Sequence, residues 1–130
     1  MRMPAEWEQH AATLLAWPHH EKDWPGKFQP IPWVYGEISR HLTRYQPVKL
    51  LVQDARKKIK ATAILRRAGI DLKKIDFRII PTNRVWLRDS GPIYVKSGKE
   101  KLMLDWKFTA WAKYPNHQLD NKVPAALNAK

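Results

Sequence analysis

Val48-Lys49-Leu50-Leu51-Val52-Gln53-Asp54, continued by Ala55 to Gly69 and closed by Ile75-Asp76-Phe77-Arg78-Ile79-Ile80-Pro81, is the stretch whose reading decides the fold. Val48–Val52 is a short apolar run of strand length. Asp54 is a helix cap, because its carboxylate can accept a backbone N–H of the first turn. The helix predicted from there through Ala68 buries Ala61, Ile64, Leu65 and Ala68 at helical spacing, and Gly69 supplies the stop. Ile75, Phe77 and Ile79 then alternate as a strand that Pro81 ends.

Working outward, Ala11–Trp17 is short, apolar and bounded by Pro18, which predicts a buried strand. His19 to Pro32 is broken by Pro25, Gly26, Pro30 and Pro32 and reads as a long loop, of the kind that is often functional in a compact domain. From Pro32 to Tyr45, the positions Val34, Ile38, Leu42 and Tyr45 predict an amphipathic helix with proline near its start. Downstream, Pro92–Lys96 and Lys101–Phe108 read as a hairpin turning at Ser97-Gly98-Lys99. Leu102, Leu104, Trp106 and Phe108 share one face of its second strand. The tail from Ala112 to Lys130 is weakly patterned, with a helical turn after Pro124. Strand, helix, strand, helix, strand and hairpin make an α/β chain, expected to be a single domain over residues 1–130.

Lys and Arg number 24 against 12 Asp and Glu, a formal charge of +12. Such a balance ordinarily points to nucleic acid or an anionic surface. Here the densest groups, Arg56-Lys57-Lys58-Ile59-Lys60 and Arg66-Arg67, fall on the predicted second helix, whose outer face is ordinarily just solvated. No specific nucleic-acid partner is expected, and a non-catalytic basic binding module stays as the rival class. No apolar run approaches the ~18 residues of a membrane span, and the N-terminus lacks a signal-peptide pattern, so the expected location is cytoplasmic. With no cysteine, and five histidines in no ligand spacing, neither a disulfide nor a metal or other cofactor is expected.

Between the third strand and the hairpin lies Thr82-Asn83-Arg84-Val85-Trp86-Leu87-Arg88-Asp89-Ser90-Gly91-Pro92. It is too polar for a strand core and too dense in special residues for a casual linker. Asp89 can clamp a planar cation through paired charge-assisted hydrogen bonds, and Trp86 can cover the cation's face. The plain alternatives are that Asp89 is a turn residue and Trp86 a core residue. Arg88 reads as a structural ion pair or as a residue that orients Asp89, since a second cation would repel a cationic ligand. Asp23 and Trp24, in the long loop, border the pocket or simply pack that loop.

Met3-Pro4-Ala5-Glu6-Trp7-Glu8-Gln9-His10, Leu15-Ala16-Trp17-Pro18-His19, Asp23-Trp24-Pro25-Gly26, Trp86-Leu87-Arg88-Asp89-Ser90-Gly91-Pro92 and Asp105-Trp106-Lys107-Phe108 resemble, in order, the N-terminal motifs of the agmatine deiminase family, which includes the bacterial type of peptidylarginine deiminase. The resemblance implies a pentein-type α/β propeller of repeated ββαβ modules, of which this chain would hold about the first two. It also implies hydrolysis of agmatine to N-carbamoylputrescine and ammonia in putrescine (polyamine) biosynthesis, with Asp89 on the guanidinium and Trp86 lining the pocket. The family's nucleophilic cysteine and catalytic histidine motif lie beyond the matched region. The expectation is therefore an N-terminal, truncated part with no catalytic residue of its own, which self-associates through uncovered strands and meets its small guanidino substrate in a longer parent. One departure is that the agmatine-type Asn-Ala-Trp-Gly-Gly reads Thr109-Ala110-Trp111-Ala112-Lys113 here, losing both glycines. The peptidylarginine branch carries arginines in that region and this chain has none there, so agmatine is preferred over a peptidylarginine substrate.

Overall fold

Three parallel strands form the centre of the chain in a computed structural model that describes residues 1–129. They are β1 (Thr13–Ala16), β2 (Val48–Val52) and β3 (Ile75–Ile79), in the order β1-β2-β3. The links between them are α1 (Ile31–Leu42) and α2 (Ala55–Arg67). A short α3 (Leu87–Ser90) leads into a separate antiparallel hairpin, β4 (Ile93–Ser97) and β5 (Glu100–Leu104), and α4 (Val123–Asn128) comes last. The architecture is mixed α/β. Its two sheets are separate, and neither closes into a propeller. Among the described residues no helix is long and apolar enough to cross a membrane.

β2 is apolar at every position but exposed Lys49, because both faces of the sheet are largely covered there, the usual condition of a parallel sheet. Val48, Leu50 and Val52 join Trp17, Ala61, Leu65, Ile70 and Ile75 in one core. Leu51, pointing the other way, joins Ala16, Val85 and Val123 in a second. The C-terminal segment is thus part of the fold rather than a loose tail, with two turns, at Ala110–Ala112 and Asp120–Lys122, that the sequence pattern does not show.

α2 follows expectation. The Asp54 carboxylate accepts the Lys57 N–H at 2.6 Å, and Gly69 ends the helix at φ +74°. α1 departs from it. The stripe Val34, Ile38 and Tyr45 faces outward, and the helix ends at Leu42. Its buried residues are Gly36 and Ser39. A Cβ on Gly36 would stand 3.4 Å from Ile64 and 3.7 Å from Ala68, so small side chains bring α1 onto α2, and close approach outweighs the larger apolar residues one step round the helix.

β1 is shorter than the predicted Ala11–Trp17, although Trp17 N–H still donates to Leu51 O at 2.8 Å. The hairpin turns tightly at Gly98-Lys99, with Ser97 paired to Glu100. β5 stops at Leu104, four residues before the predicted Phe108, since its ladder ends where Ile93 meets Leu104. Trp106 is consequently exposed, and it does not share a strand face with Phe108. Instead the Asn121 carboxamide takes the place of a neighbouring strand: Phe108 N–H donates to Oδ1 at 2.7 Å, and Nδ2 donates to Phe108 O at 2.7 Å.

Candidate functional site

Segments leaving the C-terminal ends of all three parallel strands meet on one side of the sheet, where ligands commonly bind in open parallel sheets. After β1 the chain runs through His19, His20 and a helical turn at Glu21–Asp23. Gln53 follows β2. Thr82 to Trp86 follow β3. Gln53 ties these segments together: its Nε2 lies 3.0 Å from His19 Nδ1 and donates to Thr82 Oγ1 at 3.1 Å, and its Oε1 accepts Thr82 N–H at 3.2 Å. From the other side, buried Asp120 accepts the Asn83 and Arg84 N–H groups at 2.7 and 3.2 Å, and Asn83 Oδ1 accepts Leu119 N–H at 2.9 Å. Burial pushes the Asp120 carboxyl upward, against the pull of those two backbone donors.

These segments and the stretch around the Ala110–Ala112 turn border an open cavity of about 590 Å³ lined by His20, Lys22, Asp23, Arg84, Trp86, Trp111, Lys113 and Tyr114. At its wall, Arg84 Nη1 donates to Asp23 Oδ1, and the two side chains are only 9% and 7% exposed. Tyr114 lies over the same guanidinium, 4.4 Å from ring centroid to carbon, while Nη1 also contacts His20 Nδ1 at 3.0 Å and Nη2 donates to Asn116 at 3.4 Å. Asp23 is therefore a buried counter-ion within the cavity lining. Trp24 stands behind the lining, packed at 6.0 Å against Trp86 and at 5.8 Å against Phe28.

Asp89 sits on α3 at the edge of this assembly and does not line the cavity directly. Its Oδ1 accepts the indole N–H of Trp111 at 3.3 Å, and Trp111 does line it. Gly91 fixes the exit from α3. Its N–H donates to Leu87 O at 2.9 Å, and a Cβ there would come within 2.4 Å of that oxygen. Arg88 points away from the cavity to pair with Glu6 at the surface.

Sequence reasoning did not find Arg84, Trp111 or Tyr114 as site residues. Arg84 stands within the quoted loop, and its signal was Asp23, one of the two acids of the long loop. Trp111 lies in a left-handed turn, with φ of +51°, +54° and +55° at Ala110, Trp111 and Ala112. Each costs an L-residue roughly 1–2 kcal/mol. Ala112→Gly is therefore expected to stabilise the chain by about 1 kcal/mol, seen as a later urea midpoint. An unchanged or earlier midpoint would show that the turn holds no such strain.

His19 supplies a pH dependence. Burial holds its imidazole below the ordinary 6.5, with the charges of His20 and Lys57 acting the same way and a hydrogen bond to the Trp17 carbonyl opposing. The unfolded chain then takes up the proton first as pH falls, so the contribution of His19 is complete above 6.5 and is lost as pH drops through its folded value. Asp120 acts with the opposite sign, in a lower window. His19→Gln should flatten the fall in unfolding free energy just below pH 6.5, and parallel curves for the two proteins would refute this.

Against known proteins, the model of the Porphyromonas-type peptidyl-arginine deiminase family matches residues 2–130. The agmatine deiminase of Ectopseudomonas mendocina (strain ymp) is 30% identical over 110 residues, which cover 84% of this chain and 28% of that protein. A substrate-bound variant of C. jejuni agmatine deiminase superposes with a TM-score of 0.79 at 28% identity, over 96% of this chain and 35% of the other. Agmatine deiminase of Enterococcus faecalis gives 0.83 at 21% identity, over 97% and 34%, and so shares the fold. The chain spans about a third of the length of the relatives it matches. With the family model matched along almost all of its length, the chain belongs to the Porphyromonas-type peptidyl-arginine deiminase family, alongside the agmatine deiminases.

Proposed function

We propose that this chain is the cation-holding N-terminal part of an enzyme that hydrolytically deiminates a guanidino compound. Agmatine is the preferred substrate, with N-carbamoylputrescine and ammonia as products, in putrescine biosynthesis. The observation that carries the reading is Asp89, a carboxylate presented beside an aromatic cavity at the strand ends with an indole N–H as its hydrogen-bond partner. A planar guanidinium donates paired charge-assisted bonds to such a carboxylate, and Trp86 offers a face to cover it. Arg88 is drawn off to Glu6 and Asp23 is matched by Arg84, so Asp89 is the carboxylate left to receive a ligand cation.

Deimination also needs a nucleophile at the guanidinium carbon and a group to pass a proton to the leaving ammonia. The chain has no cysteine and does not itself supply the thiolate of the family's reaction. Positioning alone leaves the bond-making step unaided, so this chain should release no ureido product from agmatine. In the proposed whole enzyme, β1 to β5 belong to the first two modules of a closed propeller of ββαβ units, and the separate piece self-associates through the faces those units would cover.

A guanidino substrate bearing a carboxylate, such as a peptide arginine, is the second reading. It is favoured by the cavity's three cations, Lys22, Arg84 and Lys113, against the single acid Asp23. Calorimetric titration of the chain separates the possibilities. Asp89→Asn should abolish agmatine binding, and Asp54→Asn, altering only the cap of α2, should leave it intact. Equal binding by the two variants would reduce Asp89 to a turn residue. Tighter binding of arginine than of agmatine would favour the second reading.

A further inference from the structure

We propose that Trp111 is the positioning residue of Asp89, fixing which carboxylate oxygen meets the ligand cation; this rests on the reading of Asp89 just given. Asp89 stands exposed on a single helical turn, where a short side chain would otherwise sample several rotamers. The Trp111 indole removes that freedom by donating to Oδ1 at 3.3 Å. It is a neutral donor, so it orients the carboxylate without cancelling its charge. Oδ2 and the second lone pair of Oδ1 stay available to a planar cation.

Trp111 is itself held. Phe108 meets it edge-on at 5.0 Å and Tyr114 at 6.2 Å. Phe108 is in turn anchored at both its N–H and its C=O by Asn121. The three left-handed residues around Trp111 aim the indole at Asp89, and the same ring forms part of the cavity wall. One side chain thus connects the carboxylate to the space a substrate's alkyl stem would occupy. Its bond to Asp89 is long for an N–H donor, which suits a contact that shares the carboxylate rather than saturating it.

The test replaces Trp111 with 3-benzothienylalanine, which keeps the bicyclic ring and puts sulfur where the N–H stood. Agmatine is titrated into wild type, this analogue and Asp89→Asn by NMR, with melting temperatures as the measure of packing. The analogue should melt with the wild type and bind agmatine about tenfold more weakly, the lower end of what one lost hydrogen bond to a charged acceptor costs. Wild-type affinity in the analogue, with binding lost in Asp89→Asn, would overturn the positioning role and leave the function of Asp89 standing. Undiminished binding in Asp89→Asn, or none by the wild type at millimolar agmatine, would overturn that function and this inference with it.

Discussion

Arg84→Ala is expected to cost about 3–5 kcal/mol of folding stability, because it leaves Asp23 as an uncompensated charge inside the protein. Asp23 and Arg84 are both more than nine-tenths buried and each neutralises the other. The truncation also removes the platform under Tyr114 and the contacts to His20 and Asn116. Asp23→Leu combined with Arg84→Met should recover most of the loss, since replacing both partners by apolar groups removes the desolvation cost along with the attraction. Urea denaturation followed by tryptophan fluorescence measures both. A loss within 1 kcal/mol for Arg84→Ala would mean that Asp23 reaches solvent and the pair does not support the site.

Leu50→Ala should be nearly as damaging, about 2–5 kcal/mol, through lost burial and the cavity left behind. Leu50 lies fully buried at the centre of the middle strand, paired with Leu15 on one side and Phe77 on the other. Ile59→Ala on α2 is the control. That residue is 70% exposed, and surface changes of this kind stay within about 0.5 kcal/mol. Comparable losses in the two variants would place the hydrophobic core elsewhere than around β2.

The βαβ centre was legible because its signals are local. An apolar run, a capping Asp54, a stop at Gly69 and alternation from Ile75 each concern neighbouring residues. α1 was turned by one position because Gly36 and Ser39 carry no hydropathy, although small size is what lets two helices approach. β5 was drawn too long because alternation continues to Phe108 after the partner strand has ended. At the site, Asp89 and Trp86 stood out through residue type within a single loop. The pairing of Asp23 with Arg84 spans 61 positions, and that of Trp111 with Asp89 spans 22. Neither is visible until the strand ends have been brought together.

The carboxamide of Asn121 has a consequence on the timescale of storage. It holds the Phe108 peptide as a strand would, accepting with one atom and donating with the other. Hydrolysis of that amide to a carboxylate would set a negatively charged oxygen against the Phe108 carbonyl in place of the donor Nδ2. The Phe108 ring supports Trp111, so a preparation ageing in this way would loosen first at the indole above Asp89 while its parallel sheet stayed intact. Slow chemical change at one side chain would thus emerge as drifting ligand affinity in a protein that still melts normally.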